Sequence, residues 1–359
     1  MSSAPTALVI GAGVTGLTTA LCLRDRGFAV TVVADRLPAE TVSTVAGALW
    51  EWPPAVCGHH HDDEMSLERS RAWCMVSYRR FTALSDDPAT GVRLRTAVSY
   101  FRAPVAELPR EHFKMRELSH LPGFRHDRSL IGEHRLSSAS GAVDAYAHLA
   151  PVIDTPAYTA WLLDRVRRSG CPIEAETVDG ALTEHEHRLR SRHRADVIVN
   201  CTGLGALGLA ADPALYALRG ALFHLRNDGR SLPRLTTAHI MAFDASHGGQ
   251  NMVFVVPHDE IVVLGGLVEA GEWSTALTYG YRPIRDMVER CGDFLPELRA
   301  AAPAADPVRV GVRPARKGGV RVEAEPGTRI VHNYGHGGSG FTLSWGCAEH
   351  TPELALRLV

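Results

Sequence analysis

The chain has 359 residues, of which 45% are hydrophobic and 22% are charged, and its formal net charge is −2. This composition is that of an ordinary globular protein and argues against disorder, and the length predicts two domains or one large domain with an insertion. The near-zero charge excludes a general attraction to nucleic acid or to an anionic membrane, and no apolar run reaches the roughly 18–20 residues of a membrane-spanning helix.

The first segment of the chain predicts a strand, a glycine turn, a helix and a second strand. The apolar run Ala7–Ile10 has the length of a short buried strand, and Gly-Ala-Gly-Val-Thr-Gly follows it at residues 11–16. Leu17–Arg26 then has the apolar spacing of a helix without a breaker, and Gly27 ends it. Because a second buried strand is predicted over Ala29–Ala34, the segment is one βαβ unit.

The G-x-G-x-x-G spacing of this unit is typical of a dinucleotide-binding site. Gly11 permits the tight turn, Gly13 lets the backbone approach a pyrophosphate, and Gly16 lets the helix pack closely on the sheet. The helix N-terminus presents N–H groups and partial positive charge to the phosphates. Asp35, nineteen residues after the last glycine of the motif, can accept hydrogen bonds from a ribose diol. FAD and NAD share this cradle, so the motif alone does not distinguish them.

The middle of the chain predicts a helix over Tyr158–Arg168 and strands over Pro172–Val178 and Asp196–Asn200. Ahead of them, roughly residues 53–138 are mixed in pattern and rich in Arg, Pro and His. Residues from 219 to about 306 return to alternating strands. These two stretches are interpreted as one inserted second domain.

The later part of the chain predicts strands over Met252–Val256 and Ile261–Leu264 within that insertion. The last segment then predicts a strand over Thr328–His332, a glycine-rich turn over Gly335–Gly340 and a helix from about Phe341. A second glycine cluster near the C-terminus favours FAD, because such a cluster would approach the isoalloxazine ring.

Five segments resemble the D-amino-acid oxidase family of FAD-dependent amine oxidases. They run in the family's order from residue 9 to residue 348, and they are VIGAGVTGLTTALCL, VVADRLPAETVSTVAGALW, DVIVNCTG, VGVRPAR and HNYGHGGSGFTLSWGCA. The resemblance implies an α/β fold, with a Rossmann-type FAD-binding domain and an inserted mixed-β substrate-binding domain. Together with the pattern of elements, it predicts the FAD-binding domain at residues 1–50, 138–215 and 309–359. The substrate-binding domain would then take residues 51–137 and 216–308.

FAD is the cofactor that the resemblance implies, and each part of FAD has its own contacts. The first glycine turn, with Asp35 and Arg36, would hold the ADP half, and two hydroxyl groups would lie near the phosphates. The C-terminal glycine segment would place helix-end N–H groups at the pyrimidine edge of the flavin, where the reduced ring is anionic. The implied cofactor-binding residues are Gly11, Gly13, Gly16, Asp35, Arg36, Ser43, Thr44, Gly47, Ala48, Leu49, Val178, Thr202, Gly337, Gly338, Ser339, Gly340, Phe341 and Thr342.

The reaction that the resemblance implies is oxidation of a D-amino acid to an imino acid. Arg313, in the GVRP segment, matches the family's carboxylate-binding arginine. A planar guanidinium suits this role, because it binds a carboxylate through two parallel hydrogen bonds. The Gly338 carbonyl would accept an N–H of the amine, and the α-hydrogen would leave as hydride to flavin N5. No side-chain base is needed if the amine binds neutral, so catalysis would be mostly positioning. Dioxygen would reoxidise the flavin to give hydrogen peroxide, and the imine would hydrolyse to a 2-oxo acid and ammonia.

Three positions depart from the family's pattern. Its two active-site tyrosines are replaced by Gln250 and Phe254, when the segments are aligned through residues 255–257 and 264–266. Phe254 keeps the ring without the hydroxyl that helps to hold the carboxylate, and Gln250 offers a donor of different reach. Glu51 stands where a neutral amide is common. A carboxylate there favours a substrate with an extra cationic group, or an ammonium.

These departures leave three functional interpretations open. The protein is an oxidase of D-amino acids with an altered pocket, or it acts on glycine, a secondary amine or a natural-product amine intermediate, or it is a flavin-binding module with little oxidase activity. The expected partners are a small amino acid or amine and dioxygen. No nucleic acid or membrane is expected as a partner, and the resemblance allows a homodimer.

No metal site is expected. His59–Asp63 and Glu184–His187 carry ligand-type side chains, but contiguous residues cannot all face one ion, and both runs are interpreted as solvated. The seven cysteines are odd in number and lack C-x-x-C spacing, which predicts reduced, buried thiols in a cytoplasmic protein. The expectation of a cytoplasmic protein also uses the lack of a basic signal-peptide start and of a terminal Ser-Lys-Leu.

Overall fold

The computed structural model describes residues 4–52, 64–241 and 250–359, the first three residues of the second range by their backbone alone. Two compact units divide the chain. The first unit comprises Met1–Gly91, Thr155–Leu218 and Val312–Val359, and the second unit comprises Val92–Asp154 and Arg219–Gly311. The run His59–Asp63 lies outside the described residues.

The described residues form strands and helices with the following bounds. The strands are β1 (Thr6–Ile10), β2 (Ala29–Ala34), β3 (Val92–Phe101), β4 (Arg125–His126), β5 (Asp144–Ile153), β6 (Ile173–Ala175), β7 (Val197–Asn200), β8 (Leu215–Arg226), β9 (Thr237–Met241), β10 (Val253–Pro257), β11 (Ile261–Ala270), β12 (Pro303–Arg316), β13 (Arg321–Ala324) and β14 (Ile330–Tyr334). The helices are α1 (Val14–Asp25), α2 (Glu64–Leu84), α3 (Pro109–Leu118), α4 (Ser129–Glu133), α5 (Thr155–Arg168), α6 (Leu182–His193), α7 (Ala206–Leu209), α8 (Arg282–Phe294) and α9 (Gly340–Leu356).

The first unit contains a six-stranded sheet in the order β13-β14-β7-β1-β2-β6. Five of its strands run parallel, and β13 pairs antiparallel at one edge. The central strands β1 and β7 are apolar and buried, as expected for parallel strands covered on both faces. Helix α1 packs against α5 and α9. The α/β fold class predicted from the sequence is therefore confirmed, with a Rossmann-type arrangement in this unit.

The second unit is built on a mixed sheet in the order β12-β8-β11-β10-β9-β3-β5-β4. Most described pairs in it are antiparallel, while β3 and β9 pair in parallel. Helix α8 packs on β10 and β11. A continuous apolar core lies between these elements and includes Val98, Phe223, Val255, Met287 and Phe294.

The boundaries of the units differ from the predicted ones in the first half of the chain. The predicted changes at residues 50 and 138 lie at 91 and 154 in the structure. The first change is later because α2 packs against α9 within the first unit. The second change is later because β5 pairs with β3 along its whole length. The predicted changes at 215 and 308 fall close to the observed ones at 218 and 311.

The predicted elements in the rest of the chain are present with shifted ends. The helix predicted from Leu17 begins at Val14, because the glycine turn leads directly into it, and Gly27 follows its C-terminus with a φ of 87°. The strand predicted over Thr328–His332 is β14, two residues further on. Among the described helices, none combines the length and the apolar character that crossing a bilayer requires.

Candidate active site

The glycine turn between β1 and α1 has the geometry of a phosphate cradle. Gly11 has a φ of 110°, and its N–H donates to the Val33 carbonyl at 2.8 Å. A Cβ on Gly11 would lie 2.6 Å from the Cys201 carbonyl oxygen, and a Cβ on Gly16 would lie 1.9 Å from the Gly11 carbonyl oxygen. Only glycine therefore allows this close approach of helix and sheet. Gly13 caps the helix in an extended conformation, and no acidic residue occupies the first turn of α1.

Ser43 lies at the start of α1. Its Oγ accepts a hydrogen bond from Val14 N at 3.1 Å, and a Cβ on Gly13 would approach that oxygen to 3.2 Å. The structure therefore places Ser43 beside the glycine turn, and its contact with the phosphates stays a prediction. The Thr44 hydroxyl instead donates to the Thr41 carbonyl at 2.9 Å, and the Thr44 carbonyl accepts from Thr155 Oγ1 at 2.8 Å. Thr44 thus holds its own loop in place.

The edge of the sheet beyond the turn carries the groups predicted for the ribose and the adenine. Asp35 and Arg36 follow β2 and are exposed, with 3.7 Å between a carboxylate oxygen and Arg36 Nε. Val178 is half-buried against the apolar core of the first unit. Thr202 follows β7, and its Oγ1 donates to Asn200 Oδ1 at 2.7 Å. Since β1, β2 and β7 are parallel, their carboxyl ends share one edge.

The segment predicted to lie along the flavin contacts the start of α9. The Glu51 N–H donates to Thr342 Oγ1 at 3.4 Å. Leu49, two residues earlier in the chain, is buried. Ala48 has a φ of 38°, which residues with a side chain rarely adopt, and Gly47 precedes it. The strained backbone at Ala48 marks a position whose shape the surrounding fold imposes.

Arg313 and the C-terminal glycine segment are brought together by one backbone contact. Ala315, near the end of β12, forms an isolated antiparallel bridge with His336. Arg313 lies two residues before Ala315, and Gly338 lies two residues after His336 in the 3-10 turn of residues 337–339, so the bridge brings together the segments that carry them. Sequence reasoning missed this bridge, because the two segments belong to elements with no local pattern in common.

The glycine segment itself ends in the N-terminus of a long helix. Gly337 has a φ of 54°, and residues 337–339 form a 3-10 turn that leads into α9. The first turn of α9 carries no acidic residue, and Ser339 at its N-cap makes no side-chain capping bond. Phe341 and Thr342 are buried in this first turn, whereas Gly338 is exposed. The helix therefore presents backbone N–H groups and partial positive charge at this point.

Gln250 and Phe254 lie in the second unit. Gln250 Oε1 accepts from Val268 N at 2.9 Å, and its Nε2 donates to the Val268 carbonyl at 2.6 Å. The side-chain amide thus bonds to both backbone polar groups of Val268, as a neighbouring strand would. Phe254 lies on β10, and its ring covers Gly265, where a Cβ would lie 2.9 Å from Phe254 Cδ1.

Among the described residues, one His and Glu group has ligand-like spacing, namely Glu174, Glu176 and His193. Arg192 neutralises Glu176 at 3.0 Å, so the group already has internal charge pairs. In the run Glu184–His187, Glu186 pairs with Arg190 at 3.2 Å on α6. Glu176 and Glu186 are therefore each paired with an arginine.

The cradle fits a dinucleotide by shape and by charge. At the first turn, glycines occupy the positions where a Cβ would clash with the backbone. The N-termini of α1 and α9, which both belong to the first unit, carry no acidic residue in their first turns. Exposed Asp35 follows the strand next to β1, at the distance along the chain that a ribose-binding acid requires. These features suit a ligand with a pyrophosphate and a ribose.

Comparison with known proteins gives a family and a fold. Residues 6–354 match the family model described as FAD dependent oxidoreductase. The chain is 38% identical over 352 residues to a D-amino-acid oxidase of Rubrobacter xylanophilus, covering 97% of this chain and 95% of that protein. It is 34% identical over 353 residues to a D-amino-acid oxidase of Streptomyces coelicolor, covering 97% and 96%. The fold matches glycine oxidase from Bacillus cereus with a TM-score of 0.74 at 15% identity, covering 99% of this chain and 95% of that one.

Proposed function

Because the chain belongs to the family of FAD-dependent oxidoreductases that includes the D-amino-acid oxidases, we propose that it oxidises D-amino acids at the α-carbon. Its cofactor is FAD, and it is an oxidoreductase that acts on amines. The proposed products are an imino acid, which hydrolyses to a 2-oxo acid and ammonia, and hydrogen peroxide from dioxygen. We propose that the first unit binds FAD and, through Arg313 and Gly338, the carboxylate and the amine of the substrate, and that the second unit also binds the substrate.

The observation that carries the proposal is the bridge between Ala315 and His336. Arg313 and Gly338 each lie two residues along the chain from this contact, within the unit that contains the dinucleotide cradle. A guanidinium and a backbone carbonyl are the two groups needed to bind the carboxylate and the amine of one amino acid. Two such contacts hold the α-carbon between them, and a third contact, to the side chain or to the α-hydrogen, would select one enantiomer.

The chain's residues bind and orient the substrate in this proposal. Bound FAD supplies the two-electron acceptor of the reaction. Arg313 binds the carboxylate through paired charge-assisted hydrogen bonds, which are worth about 1.5–3 kcal/mol each. The Gly338 carbonyl accepts an N–H of the neutral amine, which leaves the nitrogen lone pair to form the C=N bond as the α-hydrogen departs with its electron pair. The N-terminus of α9 favours negative charge on the bound cofactor.

A second candidate function is oxidation of glycine or of a secondary amine. The specific observation in its favour lies in the second unit, where Phe254 has no hydroxyl and the Gln250 amide bonds to Val268. These two replacements change the donors that the substrate meets, which leaves glycine or a secondary amine open as the substrate. The fold that the chain shares with glycine oxidase from Bacillus cereus is compatible with this candidate.

We also propose a cytoplasmic location. The six described cysteines are all buried and free. Burial raises the pKa of the Cys22 and Cys201 thiols to about 12 and that of Cys291 to about 11, so these thiols stay protonated. Unreactive buried thiols without disulfides are typical of a reducing compartment.

The proposed function is tested with the FAD-loaded protein and a panel of amines. The panel contains D-amino acids with neutral, acidic and cationic side chains, their L-enantiomers, glycine and sarcosine. Oxygen uptake, hydrogen peroxide and 2-oxo acid are measured together. Turnover of D-amino acids with equal amounts of peroxide and 2-oxo acid is the expected result. Turnover of glycine or sarcosine alone would favour the second candidate, and peroxide without a 2-oxo acid would contradict the reaction.

A further inference from the structure

We propose that Asp212 is a positioning residue of the amino-acid site, because its carboxylate holds the strand segment of Arg313 and the glycine segment of Gly338 in a fixed relation. This inference rests on the proposed role of Arg313 in binding the substrate carboxylate. All of the groups involved lie in the first unit.

Asp212 is buried at a tight turn after α7. Its side chain is 5% exposed, and Ala211 before it has a φ of 45°, in the left-handed region that residues with a side chain rarely adopt. Leu215 N donates to the Asp212 carbonyl at 3.2 Å, and Ala214 N donates to Asp212 Oδ1 at 3.0 Å. The turn therefore fixes the direction of the carboxylate and leaves Oδ2 to bind other segments.

Oδ2 of Asp212 accepts one hydrogen bond from each of the two segments. Arg316 Nε donates to it at 2.8 Å from β12, three residues beyond Arg313. Tyr334 Oη donates to it at 2.9 Å from the end of β14, four residues before Gly338. One carboxylate thus joins the strand of the proposed carboxylate-binding guanidinium to the strand that leads into the glycine segment.

The Arg316 side chain makes a second link between the same segments. A Cβ on Gly335 would lie 3.0 Å from the Cβ and Cδ atoms of Arg316, so the arginine stem lies directly against the loop. Gly335 has a φ of 86°, and the next residue, His336, forms the bridge with Ala315. Because Asp212 holds the guanidinium of Arg316, it also holds this stem across the loop.

The network keeps Asp212 charged although it is buried. Burial raises the pKa of Asp212, but hydrogen bonds from Arg316, Ala214 and Tyr334 outweigh it, and the pKa lies below its usual value. Arg321 donates to Tyr334 Oη at 2.7 Å, which turns the tyrosine proton toward the carboxylate. The anion is therefore the form to which both segments are bound, and a neutral amide in its place would hold them less firmly.

A purely stabilising role and a positioning role predict different measurements. If Asp212 only stabilises the fold, its replacement lowers the melting temperature and leaves carboxylate binding by the folded protein unchanged. If it positions the site, the folded protein keeps FAD and binds carboxylates less tightly. Benzoate is a suitable probe, because it offers a carboxylate without an oxidisable amine, and its binding is followed through the visible spectrum of the bound flavin.

The test compares wild type with Asp212→Asn as FAD-loaded proteins. The Kd of benzoate is expected to rise about tenfold or more, on the scale of a lost charged hydrogen bond, with an unchanged FAD content per chain. The KM for a D-amino acid should rise with the benzoate Kd, and kcat should change less. Tyr334→Phe removes one of the two links and should raise the Kd about threefold, which keeps the test available if Asp212→Asn does not fold.

Asp196→Asn is the matched control. Asp196 Oδ2 accepts from Thr6 N at 2.9 Å and from Thr6 Oγ1 at 2.8 Å, so it is also a carboxylate that joins two segments, just before β7 in the same unit. Its replacement should lower the melting temperature without changing the benzoate Kd. An equal rise in Kd for Asp196→Asn, or an unchanged Kd in both Asp212→Asn and Tyr334→Phe, would overturn the positioning role. Wild-type protein that holds FAD but binds neither benzoate nor any amino acid would overturn the proposed function, and the positioning role with it.

Discussion

Removing the guanidinium of Arg313 tests substrate binding apart from cofactor binding. Arg313→Ala is expected to raise the KM for the amino acid roughly a hundredfold or more, the scale of losing a bidentate charged contact, while FAD stays bound. Steady-state kinetics with the flavin spectrum as a check on FAD content measures both.

Arg309→Ala serves as the control for Arg313→Ala. Arg309 lies on the same strand, where it pairs with Asp306. Its replacement should leave KM unchanged. An unaltered KM in Arg313→Ala would refute the carboxylate role, and a loss of FAD would assign the arginine to the cofactor instead.

Phe254→Tyr adds a hydroxyl at a position where the sequence analysis predicts a tyrosine of the family. The extra donor is expected to lower the KM for simple D-amino acids, since a hydrogen bond to a carboxylate is worth about 1.5–3 kcal/mol. A KM series with D-alanine as substrate decides the point. A higher KM, or complete inactivity, would show that the alignment of this strand is wrong.

The site residues that can be predicted from the sequence are those whose contacts lie close together in the chain. Gly11, Gly13 and Gly16 serve one turn, and their spacing is visible within six residues of sequence. Asp212 gives no such signal, because its partners Arg316 and Tyr334 lie 104 and 122 residues away. Contacts at that separation depend on the whole sheet order, which a local pattern does not contain.

At the scale of elements, the contact between β1 and α1 depends on Gly16. A Cβ there would lie 1.9 Å from the Gly11 carbonyl oxygen, so Gly16→Ala must push the helix away from the turn. Overpacking of this kind costs about 1–3 kcal/mol, and the displaced helix end no longer faces the phosphates. Gly16→Ala is therefore expected to melt at a lower temperature and to lose FAD, as measured by thermal unfolding and by the flavin to protein absorbance ratio.

Gly208→Ala is the matched control for Gly16→Ala. Gly208 lies in α7, and a Cβ on it meets open space. Alanine there should keep FAD and leave the melting temperature equal or slightly higher. Equal loss of FAD in both variants would contradict the role given to the close helix contact.

The buried histidine on β9 predicts acid sensitivity of the second unit. Burial, helped by the charge of nearby His134, lowers the pKa of His239 to about 3, and its Nδ1 lies 3.0 Å from Tyr100 Oη. Below pH ~6.5 this histidine binds a proton in the unfolded chain but stays neutral in the folded protein. The free energy of unfolding therefore falls by about 1.4 kcal/mol per pH unit as the pH falls toward 3. Above pH ~6.5 it has no such effect.

His239→Gln is expected to remove this part of the pH dependence while keeping a polar partner for Tyr100. Urea unfolding at pH 7 and pH 5 measures it, and the loss of stability between the two should be smaller in the variant. An equal loss in wild type and variant would mean that His239 is protonated in the folded protein.

At the scale of the whole molecule, the α/β class and the closing strand and helix at the C-terminus could be predicted, and the early domain boundaries could not. The sequence from 53 to 138 has a mixed pattern, and it contains both α2, which packs on α9, and β3, which pairs with β5. Since α2 and β3 belong to different units, the boundary falls inside this stretch, where no change in the sequence pattern marks it. Each element is assigned to its unit by its packing partner, which lies 43 to 61 residues along the chain from β3 in the case of β5 and much further from α2 in the case of α9.

The most direct test of the account is anaerobic mixing of the FAD-loaded protein with one enantiomer of an amino acid at a time. We expect a D-amino acid such as D-alanine to bleach the visible flavin absorbance, more slowly when its α-hydrogen is replaced by deuterium, and the L-enantiomer to leave the protein yellow. A fully FAD-loaded protein that stays yellow with every D-amino acid, with glycine and with sarcosine would contradict the account.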